Sequence, residues 1–118
     1  MKTLRSVTII LFLALISQSS YAQSTTEEIK IRTSAVCNMC KTTLEQNLAL
    51  EKGIKRTSLD VSSKVLTVSY NPKKTTPEAI RKAITKLGYD ADDQPADAKS
   101  YEKLDGCCKK GNTCEEPK

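Results

Sequence analysis

The chain begins with an apolar run and settles into shorter periodic patterns only afterwards. Lys2 and Arg5 precede Val7–Ile16, ten residues broken only by Thr8, and Ser20-Tyr21-Ala22 ends in a small side chain. A charged start, a short apolar stretch and a small-residue end predict a secretory signal peptide over residues 1–22, cleaved before Gln23. Ten residues are too few for a bilayer-spanning helix. From Glu27 to Thr33, Ile29 and Ile31 alternate with polar residues, as in a half-buried strand. From about Asn38 to Leu50, Leu44 and Leu48 define a helical face, and Gly53 provides the stop. Thr57, Leu59 and Val61 alternate next, then Leu66, Val68 and Tyr70, with Ser62-Ser63-Lys64 between them, which predicts an antiparallel hairpin. A second helix follows, with Thr76 as N-cap, Pro77 at the first helical position, Ile80, Ala83, Ile84 and Leu87 on one face, and Gly88 at the end. Tyr89 and Ala91 begin a fourth strand that Asp92-Asp93 keeps short and polar, and Pro95–Leu104 suggests a further helix carrying Ala98, Tyr101 and Leu104 on one side.

The order strand–helix–strand–strand–helix–strand predicts an α+β, ferredoxin-like βαββαβ sandwich, an antiparallel sheet with two helices on one face. Three segments are expected: the signal peptide (1–22), one domain (23–94) and a C-terminal extension with a Cys-rich tail (95–118), which is irregular after Gly106.

Composition narrows the chemistry. The formal charge is +5, and removing Lys2 and Arg5 with the leader leaves 17 basic and 14 acidic residues, or +3. Such a mild excess, with the two signs interleaved, gives no reason to expect a nucleic-acid partner. There is no His in the chain. Imidazole acid–base and triad chemistry are therefore excluded, and thiolates are left as the strong ligands for soft metals. All five cysteines lie beyond the leader: Cys37, Cys40, Cys107, Cys108 and Cys114. An odd number in an exported chain leaves at least one thiol unpaired within a monomer.

Cys37 and Cys40 are three apart between the first strand and the first helix, on an expected exposed loop and helix start. The positive end of a helix favours thiolate, the form that binds metal or attacks a disulfide. Three uses follow from the pair. It can bind a metal ion, it can exchange disulfides as a thiol–disulfide oxidoreductase does, or it can close a structural bridge, whose short loop would restrict the unfolded chain little. Two thiolates without imidazole suit Cu(I) or Hg(II), and Ag(I) as well, whereas Zn(II) prefers four ligands.

With Cys-x-x-Cys set in this pattern, the sequence resembles the heavy-metal-associated domain family. The resemblance rests on Cys37, Cys40, Leu44, Leu48, Gly53-Ile54, Val68-x-Tyr70-Asn71-Pro72, Ile80, Ile84 and Gly88-Tyr89, and it covers roughly Glu27 to Asp93. That family includes small copper chaperones, the metal-binding domains of copper-transporting P-type ATPases and the periplasmic mercuric-ion-binding protein. The resemblance implies a non-enzymatic periplasmic carrier that captures Cu(I) or Hg(II) with Cys37 and Cys40. The carrier passes the ion by thiolate exchange to a membrane metal transporter or a metal-transporting P-type ATPase. It is expected as a monomer, with a metal-bridged dimer as the alternative state. The resemblance also makes Tyr89 a candidate neighbour of the metal loop. Ser34-Ala35 stands where the family usually has Gly-Met, and a third use for the fold is as an interaction module that no longer holds metal. If Pro95–Leu104 turns back along the sheet, it carries Cys107 and Cys108 toward Cys37 and Cys40 as additional ligands, with Cys114 beyond them.

Overall fold

The computed structural model describes residues 25–111. The expected signal peptide and Cys114 lie outside the described residues. Alternation produces three strands, β1 (Glu27–Arg32), β2 (Ile54–Asp60) and β3 (Val65–Tyr70), and the 3.6-residue pattern produces two long helices, α1 (Asn38–Leu48) and α2 (Pro77–Lys86). The sheet is antiparallel in the order β1-β3-β2. Register places Leu66 between Ile31 and Leu59, and Val68 between Ile29 and Thr57. One face of the sheet therefore presents Ile31, Leu59, Leu66, Val68 and Tyr70 to Leu44 and Leu48 of α1 and to Ile80 and Ile84 of α2, all buried in one core. The outer strand β2 is tied to α1 through Glu45, whose carboxylate accepts the Leu59 amide at 2.9 Å.

Two strands are shorter than their patterns suggest, and the further helix expected over Pro95–Leu104 is confined to Ala98–Glu102. β2 stops at Asp60 because its carboxylate accepts the Ser62 amide and the Ser63 hydroxyl, turning Val61 into the hairpin loop. The fourth strand is reduced to a single bridge between Thr33 and Ala91 at the free edge of β1. Ala91 also bridges Gln94, and Asp92 adopts φ 53, so the chain turns instead of extending. Asp92 replaces the missing ladder with its own groups. Its amide donates to the Arg32 carbonyl at 2.8 Å, and its carboxylate accepts the Arg32 amide and the Arg81 guanidinium, each at 2.9 Å.

Burial disfavours the charged form of Asp92, but the Arg32 amide and the Arg81 guanidinium outweigh it and hold the carboxyl below its usual range. Asp90 is depressed in the same way, burial being offset by the Lys110 ammonium and the Ala96 amide. A carboxylate with a lower pKa folded than unfolded contributes stability that is complete above the unfolded value, about pH 4, and lost as pH falls through the folded one. The melting temperature is therefore expected to hold from neutral pH to about pH 5 and to fall below about pH 4. Asp92→Asn should lower it at neutral pH and flatten the acid limb in thermal melts across pH. An acid limb of unchanged slope in that variant would contradict this account.

The extension docks on the domain. A short helix, α3 (Ala98–Glu102), is capped by the Asp97 carboxylate on the Ser100 amide at 2.9 Å, and a 3-10 turn follows over Gly106–Cys108. The Asp97 amide donates to the Thr85 carbonyl at 3.0 Å, which holds α3 against the end of α2. Lys110 closes the path, its ammonium 2.6 Å from Asp90 and its amide donating to the Tyr101 hydroxyl at 3.0 Å. No described helix is long and apolar enough to cross a membrane.

Candidate metal centre

Cys37 is the N-cap of α1 and Cys40 is its third residue. Among the described residues no side chain caps this end, and no acidic residue sits in its first turn, so the helix's N-terminal amides and positive dipole end can favour a negative sulfur. The approach to the helix is fixed by hydroxyls. Thr33 Oγ1 donates to the Lys64 carbonyl and accepts the Ala35 amide, and Ser34 Oγ accepts the Asp90 amide at 2.9 Å. Ser34 thus fastens the cysteine loop to the residue after Tyr89, a role its sequence context does not signal. Ala35 is fully buried, while Met39 is 49 % exposed.

The sulfurs of Cys37 and Cys40 lie 3.5 Å apart. Cys108, brought back by the 3-10 turn, joins them so that the three sulfurs lie within 4.8 Å of one another. Cys107 points elsewhere, its Sγ 3.7 Å from Met39 Sδ. The expectation of exposed thiols at residues 37 and 40 is not met. Cys37 is 8 % exposed and Cys40 fully buried, with Cys108 at 4 % in the same cluster. The docked extension, a tertiary contact, accounts for the difference. Cys40, Cys107 and Cys108 carry thiols, whereas Cys37 is disulfide-bonded, so the trio can offer three thiolates only after Cys37 is reduced.

Tyr89 completes the surroundings. It is fully buried, and its hydroxyl has no hydrogen-bond partner among the described residues. Burial, and then the neighbouring sulfurs of Cys40 and Cys108, push the phenol well above its usual pKa, so it keeps its proton and can donate. Burial first, and Cys40 after it, push the Cys108 thiol up to about 12. In the absence of a cation Cys108 keeps its proton at neutral pH, and a metal that takes it as a ligand must displace that proton. A groove lined by Lys30, Arg32, Val65, Asp92 and Asp93 contains none of the described cysteines.

Once Cys37 is reduced, the pair of sulfurs at a helix start and the third from a distant segment form a donor set suited to a soft ion, and the family comparison agrees. The model of the heavy-metal-associated domain matches residues 31–90. The chain belongs to the heavy-metal-associated family. Copper-transporting ATPase 1 of Rattus norvegicus is 33% identical over 79 residues, 66% of this chain and 5% of the ATPase. The chain thus spans about a twentieth of that relative. Among solved structures, the N-terminal domain of a potential copper-translocating P-type ATPase from Bacillus subtilis, in its Cu(I)-loaded state, has a TM-score of 0.54 at 26% identity. That alignment covers 58% of this chain and 86% of that one. Oxidised MerP from Ralstonia metallidurans CH34 gives a TM-score of 0.54 at 18% identity, over 57% of this chain and 94% of the other, a likeness of fold. The family match ends at residue 90, so Cys107 and Cys108 lie beyond it.

Proposed function

We propose that this heavy-metal-associated protein is an exported, non-enzymatic carrier of Cu(I) or Hg(II). In the reduced protein Cys37 and Cys40 capture the ion as thiolates, and it leaves by sulfur-for-sulfur exchange to a membrane metal transporter or a metal-transporting P-type ATPase. The observation that carries this reading is the pair of sulfurs 3.5 Å apart at an uncapped helix N-terminus. Export to the periplasm is supported by the leader-like residues 1–22. Exchange suits thiolates because a partner's sulfur can enter the coordination sphere before the first one leaves. Cu(I) and Hg(II) suit the site better than Zn(II), which prefers four ligands, in a chain without imidazole.

The test is a competition titration of the reduced protein against a Cu(I) chelator, repeated with Hg(II), beside an insulin-reduction assay. One tightly held ion per chain and no reductase turnover are expected. Turnover of insulin with only weak metal binding would favour the oxidoreductase reading.

Tyr89 provides a second check through opposite signs. Its hydroxyl lacks a partner among the described residues, so Tyr89→Phe should leave metal-free stability unchanged or raise it by about 1 kcal/mol. With thiolates formed around an ion, the hydroxyl has acceptors, and losing a donor beside the ligands should weaken binding roughly 10–100-fold. Thermal melts and chelator competition read the two effects separately. A loss of metal-free stability with unchanged affinity would make Tyr89 a packing residue only.

A further inference from the structure

We propose that Cys108 is a third thiolate ligand, so that the reduced protein encloses a soft ion among Cys37, Cys40 and Cys108. This deepens the carrier reading and rests on it. Three sulfurs in a plane, each about 2.3 Å from an ion as in a zinc–thiolate bond, stand about 4.0 Å apart. The three sulfurs here lie within 4.8 Å, with the Cys37–Cys40 edge at 3.5 Å, so small side-chain adjustments suffice.

The placement of Cys108 is built by several contacts. The Asp97 amide on Thr85, the Lys110 ammonium on Asp90 and the Lys110 amide on Tyr101 hold the segment before and after it. The Cys108 amide itself donates to the Asp105 carbonyl at 2.8 Å in the 3-10 turn. A second observation points to a bound cation. The fully buried Tyr89 hydroxyl has no hydrogen-bond partner among the described residues, and its neighbours include the sulfurs of Cys40 and Cys108. Loss of the thiol protons to an ion would turn those sulfurs into acceptors for it.

A third sulfur changes what the site does. It adds a negative charge and a third metal–sulfur bond. Release then requires a partner's thiolates to displace Cys108 as well as Cys37 and Cys40, and the extension that carries Cys108 lies outside the family-matched residues. The ions favoured are soft ones that accept three sulfurs, Hg(II) and Cu(I) among them.

The experiment is Hg(II) loading of the full chain, kept reduced by a phosphine so that no added thiol competes. X-ray absorption counts the sulfur neighbours in the wild type, in Cys108→Ser and in Cys107→Ser, with chelator competition alongside. Three sulfurs are expected in the wild type and Cys107→Ser. Two are expected in Cys108→Ser, with affinity lower by about tenfold or more, the least that outer-shell changes cost. Cys108→Ala serves if the serine variant fails to fold. Two sulfurs in every protein, with tight binding retained, would overturn the third ligand and leave the two-thiolate carrier standing. Absence of tight binding in the wild type would overturn the carrier reading itself.

Discussion

Cys40→Ser in the reduced protein will lower Cu(I) affinity by more than the roughly 10–100-fold that loss of an outer-shell partner costs. Serine keeps the shape of cysteine but replaces a soft, ionisable sulfur with a hard hydroxyl that stays protonated at neutral pH. The fully buried site also exacts a cost in stability, about 1–3 kcal/mol for a hydroxyl that finds no partner. Cys37→Ser, at the margin of the cluster, should lose affinity to a similar extent with a smaller loss of stability. Chelator competition under a phosphine reductant gives the affinities, and thermal melts of the metal-free proteins under the same reductant give the stabilities. Unchanged affinity in both single variants would remove Cys37 and Cys40 from the site.

The difference in stability expected between the two positions could not be read from the sequence. Strand alternation at Ile29 and Ile31 and helical spacing at Leu44 and Leu48 are local signals, so the sheet, the helices and the position of Cys37 at the start of α1 were all legible. Burial of Cys40 depends on what covers it, and the cover comes from residues more than sixty positions away in the chain. The three tail cysteines were visible as a group, and the expected return of Pro95–Leu104 anticipated the approach of Cys108. Which of the adjacent cysteines faces inward was not legible, because one step along the 3-10 turn separates the trio from the Met39 contact. The fourth strand was overestimated for a related reason. Tyr89 and Ala91 alternate correctly, but Asp92 finds enough partners in Arg32 and Arg81 to hold a turn with positive φ. Ser34 gave no sequence signal at all, since its value lies in one bond to the Asp90 amide across the fold.

Gly88→Ala should disrupt the centre from outside it. Gly88 ends α2 with φ +99, a conformation that costs an L-residue about 1–2 kcal/mol. The reversal it permits sends the Tyr89 amide to the Ile84 carbonyl at 3.4 Å and the Gly88 amide to the Thr85 carbonyl at 3.0 Å. Those two bonds form the helix-ending motif that turns buried Tyr89 onto the core beside Ile84. A methyl group at residue 88 would also lie 2.9 Å from the Ser100 carbonyl oxygen and 3.1 Å from Leu104 Cγ. The first of these is backbone of α3, so the strain is relieved only by lifting the extension, and Cys108 with it. The expected outcome is a loss of about 1–2 kcal/mol or more in thermal or denaturant unfolding. Faster amide exchange over Ala98–Leu104 than over β1 and β3 should accompany it, as should metal binding like that of Cys108→Ser. Gly106→Ala is the matched control, because no described residue lies within 4 Å of a methyl group there and its φ is not positive. If Gly88→Ala lost stability while exchange over α3 stayed at the wild-type rate, the glycine would serve the helix end alone and the extension would not depend on it.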